Sequence, residues 1–140
     1  MRYRELLEAR PWKQYQGRRH RVRLIRSVRV SDGEQEAVDC YAFCGEIVTG
    51  KQEVLQGQFV SIVLPSGDEL VGEHPRSLRN ALRQVCELAE RKGWTVLALG
   101  RMPEFGETGL SVNTGFGFHP SIPDRHVHML EPPPTDNVEN

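Results

Sequence analysis

The stretch PRSLRNALRQVCELAERKG, residues 75–93, carries the clearest structural signal in this sequence. Six apolar residues recur in it at steps of three and four, namely Leu78, Ala81, Leu82, Val85, Leu88 and Ala89. Residues at this spacing share one face of an α-helix. Pro75 suits a first helical position, and Gly93 supplies a left-handed cap at the other end. The pattern predicts a helix over about residues 75–92 with one face buried.

Runs of apolar residues that are typical of β-strands lie on both sides of this helix. They are HRVRLIRSVRV (20–30), AVDCYAFCGEIV (37–48), VLQGQFVSIVL (54–64) and WTVLALG (94–100). Several strands ahead of a single long helix argue against a doubly wound parallel sheet. We predict an α+β fold, with a curved antiparallel sheet of five to seven strands and the helix packed on one face. RYRELLEAR (2–10) is expected to add a short N-terminal helix.

A chain of 140 residues has the size of one ordinary domain. We assign residues 1–131 to a single α+β domain, and residues 132–140 to a disordered or extended tail because they lack apolar periodicity. No stretch reaches the roughly 18 apolar residues of a membrane span. Three sparse cysteines, Cys40, Cys44 and Cys86, fit a reducing compartment and read as buried small residues. A cytoplasmic location is the expectation.

The segment ETGLSVNTGFGFHP, residues 107–120, alternates strictly in side-chain size. One face would carry Leu110, Val112, Thr114, Phe116 and Phe118, and the other Gly109, Ser111, Asn113, Gly115 and Gly117. Period two is the signature of a strand, so we predict one over residues 108–118. Its small face would let a partner approach closely at Ser111, Asn113, Gly115 and Gly117. Alternatively, the chain's own Trp12 and Tyr15 cover that face.

The net charge of −1 hides a division along the chain. Residues 1–30 carry ten Lys or Arg against two Glu, whereas residues 31–140 carry eight against seventeen acids. The predicted strand in this basic segment has an arginine face that could meet a partner, namely Arg19, Arg21, Arg23 and Arg29. Internal pairing with the acidic remainder is the alternative. Nucleic-acid binding through strand 18–29 is a weaker reading, since no aromatic residues alternate with the arginines.

Histidines supply the remaining candidates. His126 and His128 are two apart, so in a strand both would point the same way, which makes them weak candidates for a metal site. Local spacing specifies no third ligand, although His119 and Asp124 are close in sequence. We therefore assign no metal, no cofactor and no catalytic residue. The sequence also lacks the G-x-S-x-G, P-loop, G-x-G-x-x-G and H-E-x-x-H motifs, which favours a function other than catalysis.

Three functions are compatible with these features. The first is a non-enzymatic cytosolic module that binds another protein; in size and architecture the chain resembles the small α+β immunity proteins of bacteria, which would imply an inhibitor of a toxin or enzyme. The second is a small ligand-binding domain or metal-dependent enzyme, with a pocket around Ser111, Asn113, His119, His126 and His128. The third is nucleic-acid binding. We predict the first, with no membrane association.

Overall fold

The computed structural model describes residues 14–15, 18–34, 36–109 and 112–134. Within them lie eight strands, one α-helix and a turn of 3-10 helix. The bounds are β1 Gln14–Tyr15, β2 Arg18–Ser31, β3 Val38–Thr49, β4 Val54–Val63, β5 Glu69–His74, α1 Leu78–Arg91, β6 Thr95–Leu97, the 3-10 turn Leu99–Arg101, β7 Phe116–His119 and β8 Ile122–His128. The predicted N-terminal helix and residues 135–140 of the predicted tail lie outside the described residues.

Six of these strands form one antiparallel sheet, as predicted. Its order is β1-β2-β3-β4-β5, and β6 pairs with the end of β2. The sheet is strongly curled. Arg18 and His20 of β2 lie 2.8 and 2.7 Å from Glu73 of β5, although two strands separate β2 from β5 in the sheet. Register shifts in the β2–β3 and β3–β4 pairs are the bulges that increase such curvature. Strands β7 and β8 form a separate hairpin.

Helix α1 covers one face of the sheet and buries the predicted side of its surface, with Cys86 buried where Leu88 is only partly so. It begins at Leu78 and not at Pro75, because Ser77 is the N-cap and its hydroxyl accepts a hydrogen bond from Asn80 N–H at 3.0 Å. Gly93 caps the other end at φ +86°, as predicted. Among the described residues, no helix is long and apolar enough to cross a membrane.

The opposite face of the sheet is apolar as well. Ile25, Phe43, Ile47 and Phe59 form a second buried cluster there. The three cysteines are buried free thiols, as expected. Burial raises the pKa of Cys44 to about 12, so this thiol stays protonated and unreactive at neutral pH.

Glycine at position 72 is what lets α1 lie against β5. A Cβ at that position would be 2.0 Å from the Ala81 carbonyl oxygen and 3.0 Å from the Val85 amide nitrogen. Gly72→Ala should therefore lower the free energy of unfolding by about 3 kcal/mol, because helix backbone must move away. In Gly106→Ala the new methyl meets nothing within 4 Å. Urea denaturation should show that variant within about 0.5 kcal/mol of wild type; similar losses in both would contradict the packing argument.

Candidate functional site

The glycine-bearing segment 107–120 is a strand only at its end. Strand β7 covers Phe116–His119, while residues 112–115 form a turn; Leu110 and Ser111 lie outside the described residues. The predicted strand over 108–118 is therefore wrong for the described residues ahead of β7, 108–109 and 112–115. Asn113 has φ +61° and Gly115 has φ +88°, and these left-handed conformations are incompatible with an extended strand.

Asn113 ties this turn to the start of α1. Its Oδ1 accepts a hydrogen bond from Leu78 N–H at 2.8 Å, and its Nδ2 donates to the Arg76 carbonyl at 2.9 Å. The backbone N–H of Asn113 donates to Glu107 Oε2 at 3.3 Å. Asn113 thus satisfies a helix N–H that has no partner within the helix. Asn113, which we predicted to bind a partner, therefore also has a structural role. The sequence could not indicate this role, because Leu78 is 35 positions away.

Gly115 and Gly117 face the protein's own interior. A Cβ on Gly115 would lie 2.3 Å from His128 Nε2, and one on Gly117 would lie 2.3 Å from the Gly106 carbonyl oxygen. The Phe105 ring also stands 2.8 Å from that second position. The close approach that glycine permits here is therefore internal. His128 and Phe105 make these close contacts. The alternative, in which Trp12 and Tyr15 cover this face, stays a prediction, because Trp12 and the Tyr15 side chain lie outside what the structure describes.

Two histidines support the aromatic residues of β7 from the neighbouring strand. The His128 ring meets Phe116 edge-on at 4.9 Å between centroids, and the His126 ring lies 4.2 Å from Phe118. His128 is fully buried, and its Nδ1 accepts from Leu130 N–H at 3.1 Å. The spacing of two between His126 and His128 made them candidates for a metal site. In the structure, this spacing places each ring against a phenylalanine of the neighbouring strand.

His119 lies at the turn between β7 and β8 and serves that turn. Its Nδ1 lies 2.6 Å from Ser121 Oγ and accepts from Ser121 N–H at 3.1 Å. Its Nε2 is 3.7 Å from Glu104 Oε1. Within the described ranges, no three His, Cys, Asp or Glu side chains are grouped so that they could hold a metal ion.

The arginine face of β2 is paired with carboxylates from β3 and the β3–β4 turn. Arg19 and Arg21 each meet Glu53 at 3.0 Å, and Arg21 also contacts Glu46. Hydrogen bonding from Arg19, together with that from Arg21, lowers the pKa of Glu53 below its usual value. At the other end of β2, Arg29 lies 3.4 Å from Asp39. These arginines of the basic segment are thus paired with carboxylates of the acidic remainder of the chain.

Arg23 differs from these neighbours. It contacts Glu46 at 3.4 Å, and its side chain is 63% exposed, more than that of Arg19, Arg21 or Arg29. It lies at a cavity of about 320 Å³, the first cavity, between the sheet, the start of α1 and the 112–116 segment. Apolar walls come from Leu24, Leu78, Val112 and Phe116, and polar groups from Arg23, Glu46, Gln58 and Asn113.

A second cavity of about 420 Å³ lies next to the hairpin turn. Its walls include Glu104, Glu107, Phe118, His119, Pro120 and Ile122. Of the pocket predicted from the sequence, Asn113 lines the first cavity and His119 lines the second, so the structure does not bring these two residues together in one site.

Three large apolar side chains are exposed next to these cavities. Val112, Phe116 and Phe118 are 51, 39 and 42% exposed, and we call them the aromatic surface. Phe116 and Phe118 are two apart in β7 and point to the same side, one lining the first cavity and the other the second. Contiguous exposed apolar surface flanked by polar groups is typical of interaction sites.

A methyl group at Gly115 should destabilise the fold beneath the aromatic surface. Gly115→Ala adds both a left-handed backbone penalty and a collision with buried His128, so we expect a loss of about 3 kcal/mol in unfolding free energy. Gly33→Ala is the matched control, since Gly33 has φ +85° and a methyl there would meet no described residue within 4 Å. Equal stability of the two variants in urea would show that the His128 contact is unimportant.

Protonation of His128 should destabilise the fold. Burial, assisted by the charge of Arg26 and opposed by Glu131, lowers the pKa of His128 to about 4 from 6.5. The unfolded chain therefore takes up this proton first as the pH falls, and the folded state loses roughly 3 kcal/mol between pH 6.5 and 4. His128→Asn keeps a polar group near Nδ1 but cannot titrate.

The measurement is the unfolding free energy of wild type and His128→Asn from pH 7 to 4. The variant should be less stable at pH 7, and the gap should close as the pH falls, because only wild type carries the titrating ring. Other ionisable groups are common to both proteins and cancel in the difference. A gap that stays constant over this range would contradict the assignment.

The described residues thus present a preorganised apolar surface between two cavities, with one exposed arginine and several carboxylates at its margins. Such an arrangement can bind an apolar group and discriminate by charge. Comparison of the chain with known protein families, characterised protein sequences and solved structures gave no match.

Proposed function

We propose that this chain is a non-enzymatic protein-binding module and that the partner docks on the aromatic surface. The observation that carries the proposal is the exposure of Val112, Phe116 and Phe118 between two cavities. Aromatic side chains that are fully desolvated on binding supply much of the free energy of protein association. A partner side chain entering either cavity would bury Phe116 or Phe118 in this way.

The aromatic surface is held in place before any partner arrives. Phe116 contacts His128 and lies 6.0 Å from the guanidinium of Arg26, while Phe118 contacts His126. Rings held in one orientation lose little conformational entropy when they are covered. This supports a docking role for β7, because both of its exposed rings already make contacts within the protein.

The arginine pairs support a protein partner over a nucleic acid. Phosphate contacts along β2 would have to compete with Glu53 for Arg19 and Arg21, and with Asp39 for Arg29. Of the four arginines proposed to meet a partner, Arg23 is the most exposed and lies at the first cavity. We therefore keep Arg23 in the proposed docking site and place the centre of that site on β7.

A finer form of the proposal is that the module is a cytoplasmic inhibitor of a toxin or enzyme, comparable to the immunity proteins of bacteria. It uses the same surface and adds the expectation that docking suppresses the activity of the partner. A small-ligand-binding domain is the second candidate, favoured by the volume of the first cavity, about 320 Å³, within the range of small-molecule sites.

Substitution of Phe118 tests the docking surface directly. Tagged protein is used to capture partners from native lysate after nuclease treatment, with Phe118→Asp compared with Val38→Asp. Val38 is also 42% exposed but lines neither cavity. Wild type and Val38→Asp should retain one dominant protein, and Phe118→Asp should lose it by roughly tenfold or more, as expected when an aromatic anchor is removed.

Two results would count against this function. Equal retention by Phe118→Asp would move the docking site away from the aromatic surface. Loss of the captured protein on nuclease treatment would instead indicate nucleic acid as the bridging partner. Circular dichroism of each variant establishes that the fold survives the substitution.

A further inference from the structure

The arginines at one end of β2 outnumber their acidic partners. Among the described residues in this cluster, Arg19, Arg21 and Arg23 share the two carboxylates of Glu46 and Glu53. Arg21 contacts both carboxylates, and Arg19 takes a second oxygen of Glu53. The cluster therefore holds one positive charge more than its carboxylates can neutralise.

The unmatched charge lies mainly on Arg23. Glu46 is held more closely by Arg21 than by Arg23, whose single contact with it is 3.4 Å long. A guanidinium carries five N–H donors and pairs well with a planar carboxylate. Because the Arg23 side chain is 63% exposed and lines the first cavity, these donors are accessible to an incoming group.

The opposite charge is found at the second cavity. Glu104 and Glu107 line the second cavity, next to Phe118. An acidic group would be repelled there. At the first cavity it would meet Arg23, because Glu46, which also lines that cavity, is already paired with Arg21. The aromatic surface thus separates a region that favours an anion from one that disfavours it.

We propose that the partner docks through a peptide segment in which an Asp or Glu side chain enters the first cavity beside Phe116 and a neighbouring apolar side chain covers Phe118. This inference rests on the proposed protein-binding function and names the chemistry of its partner. The carboxylate pairs with Arg23, and the aliphatic part of the acidic side chain contacts Leu24 and Leu78. Gln58, which is only 5% exposed, offers an amide to a polar group of the segment.

A selection from a random peptide library on the full chain tests this proposal. Peptides that also bind Phe118→Asp are discarded, and the rest are measured against wild type, Arg23→Gln and Arg29→Gln. Arg29 is the matched control, an exposed arginine of the same strand that pairs with Asp39 and lines neither cavity. Each peptide is also synthesised with its acidic residue replaced by the amide.

The selected peptides should share one acidic residue beside an apolar one. Their affinity should fall about tenfold in Arg23→Gln, as for loss of a charge-assisted pair, and stay unchanged in Arg29→Gln. The amide peptide should bind wild type weakly and be indifferent to Arg23→Gln, since a double-mutant cycle isolates the carboxylate–Arg23 pair. Binding of the acidic peptide should also weaken as salt is added.

The other outcomes separate this inference from the function beneath it. Peptides that need Phe118 but show no acidic residue, or bind Arg23→Gln as well as wild type, overturn the inference and leave the docking surface standing. A selection that yields no Phe118-dependent peptide counts against both. If 3-phenylpropionate binds wild type and not Arg23→Gln while no peptide does so, the first cavity is a small-molecule site and the inference is overturned.

Discussion

The contact of α1 with β5 at Gly72 is the constraint on which the rest of the described structure depends. Because no side chain intervenes, the helix backbone lies directly on the strand, with Ala81 and Val85 over Gly72. The helix begins at Leu78, after the Ser77 N-cap, and Asn113 accepts a hydrogen bond from the Leu78 N–H at that end. The turn that carries Asn113 leads into β7, so the exposed face of β7 is positioned by the helix.

Under the proposed function, the same residues of the hairpin would serve both stability and recognition. His128 is buried beneath Gly115 and contacts the ring of Phe116, a residue that is itself 39% exposed. A ring held by a buried neighbour keeps its orientation without a partner, which lowers the entropic cost of docking. The same burial makes His128 a poor base, since protonation would place a charge in the core.

Electrostatic pairing changes what the basic strand can do. A run of arginines in sequence suggests an anionic partner, yet Arg19 and Arg21 lie beside carboxylates of their own chain. Exposed pairs of this kind add little stability, but they reduce the charge that is available to an outside ligand. What remains for recognition is a local imbalance at Arg23, next to an apolar cavity, and this is a more selective feature than a basic face.

The features that the sequence determined are those produced by contacts between near neighbours in the chain. The apolar period of α1, its Gly93 cap and the apolar faces of β2 to β4 depend on residues a few positions apart, so the α+β class and the antiparallel sheet could be predicted. The segment 107–120 could not, because Asn113 is bound by Leu78, 35 positions away, and Gly115 by the packing of His128. Only the tertiary structure decided these contacts, together with the arginine pairs and the cavities beside β7. Each of them joins elements that are distant in sequence, and the alternation of apolar and polar residues along the chain does not show which distant elements meet.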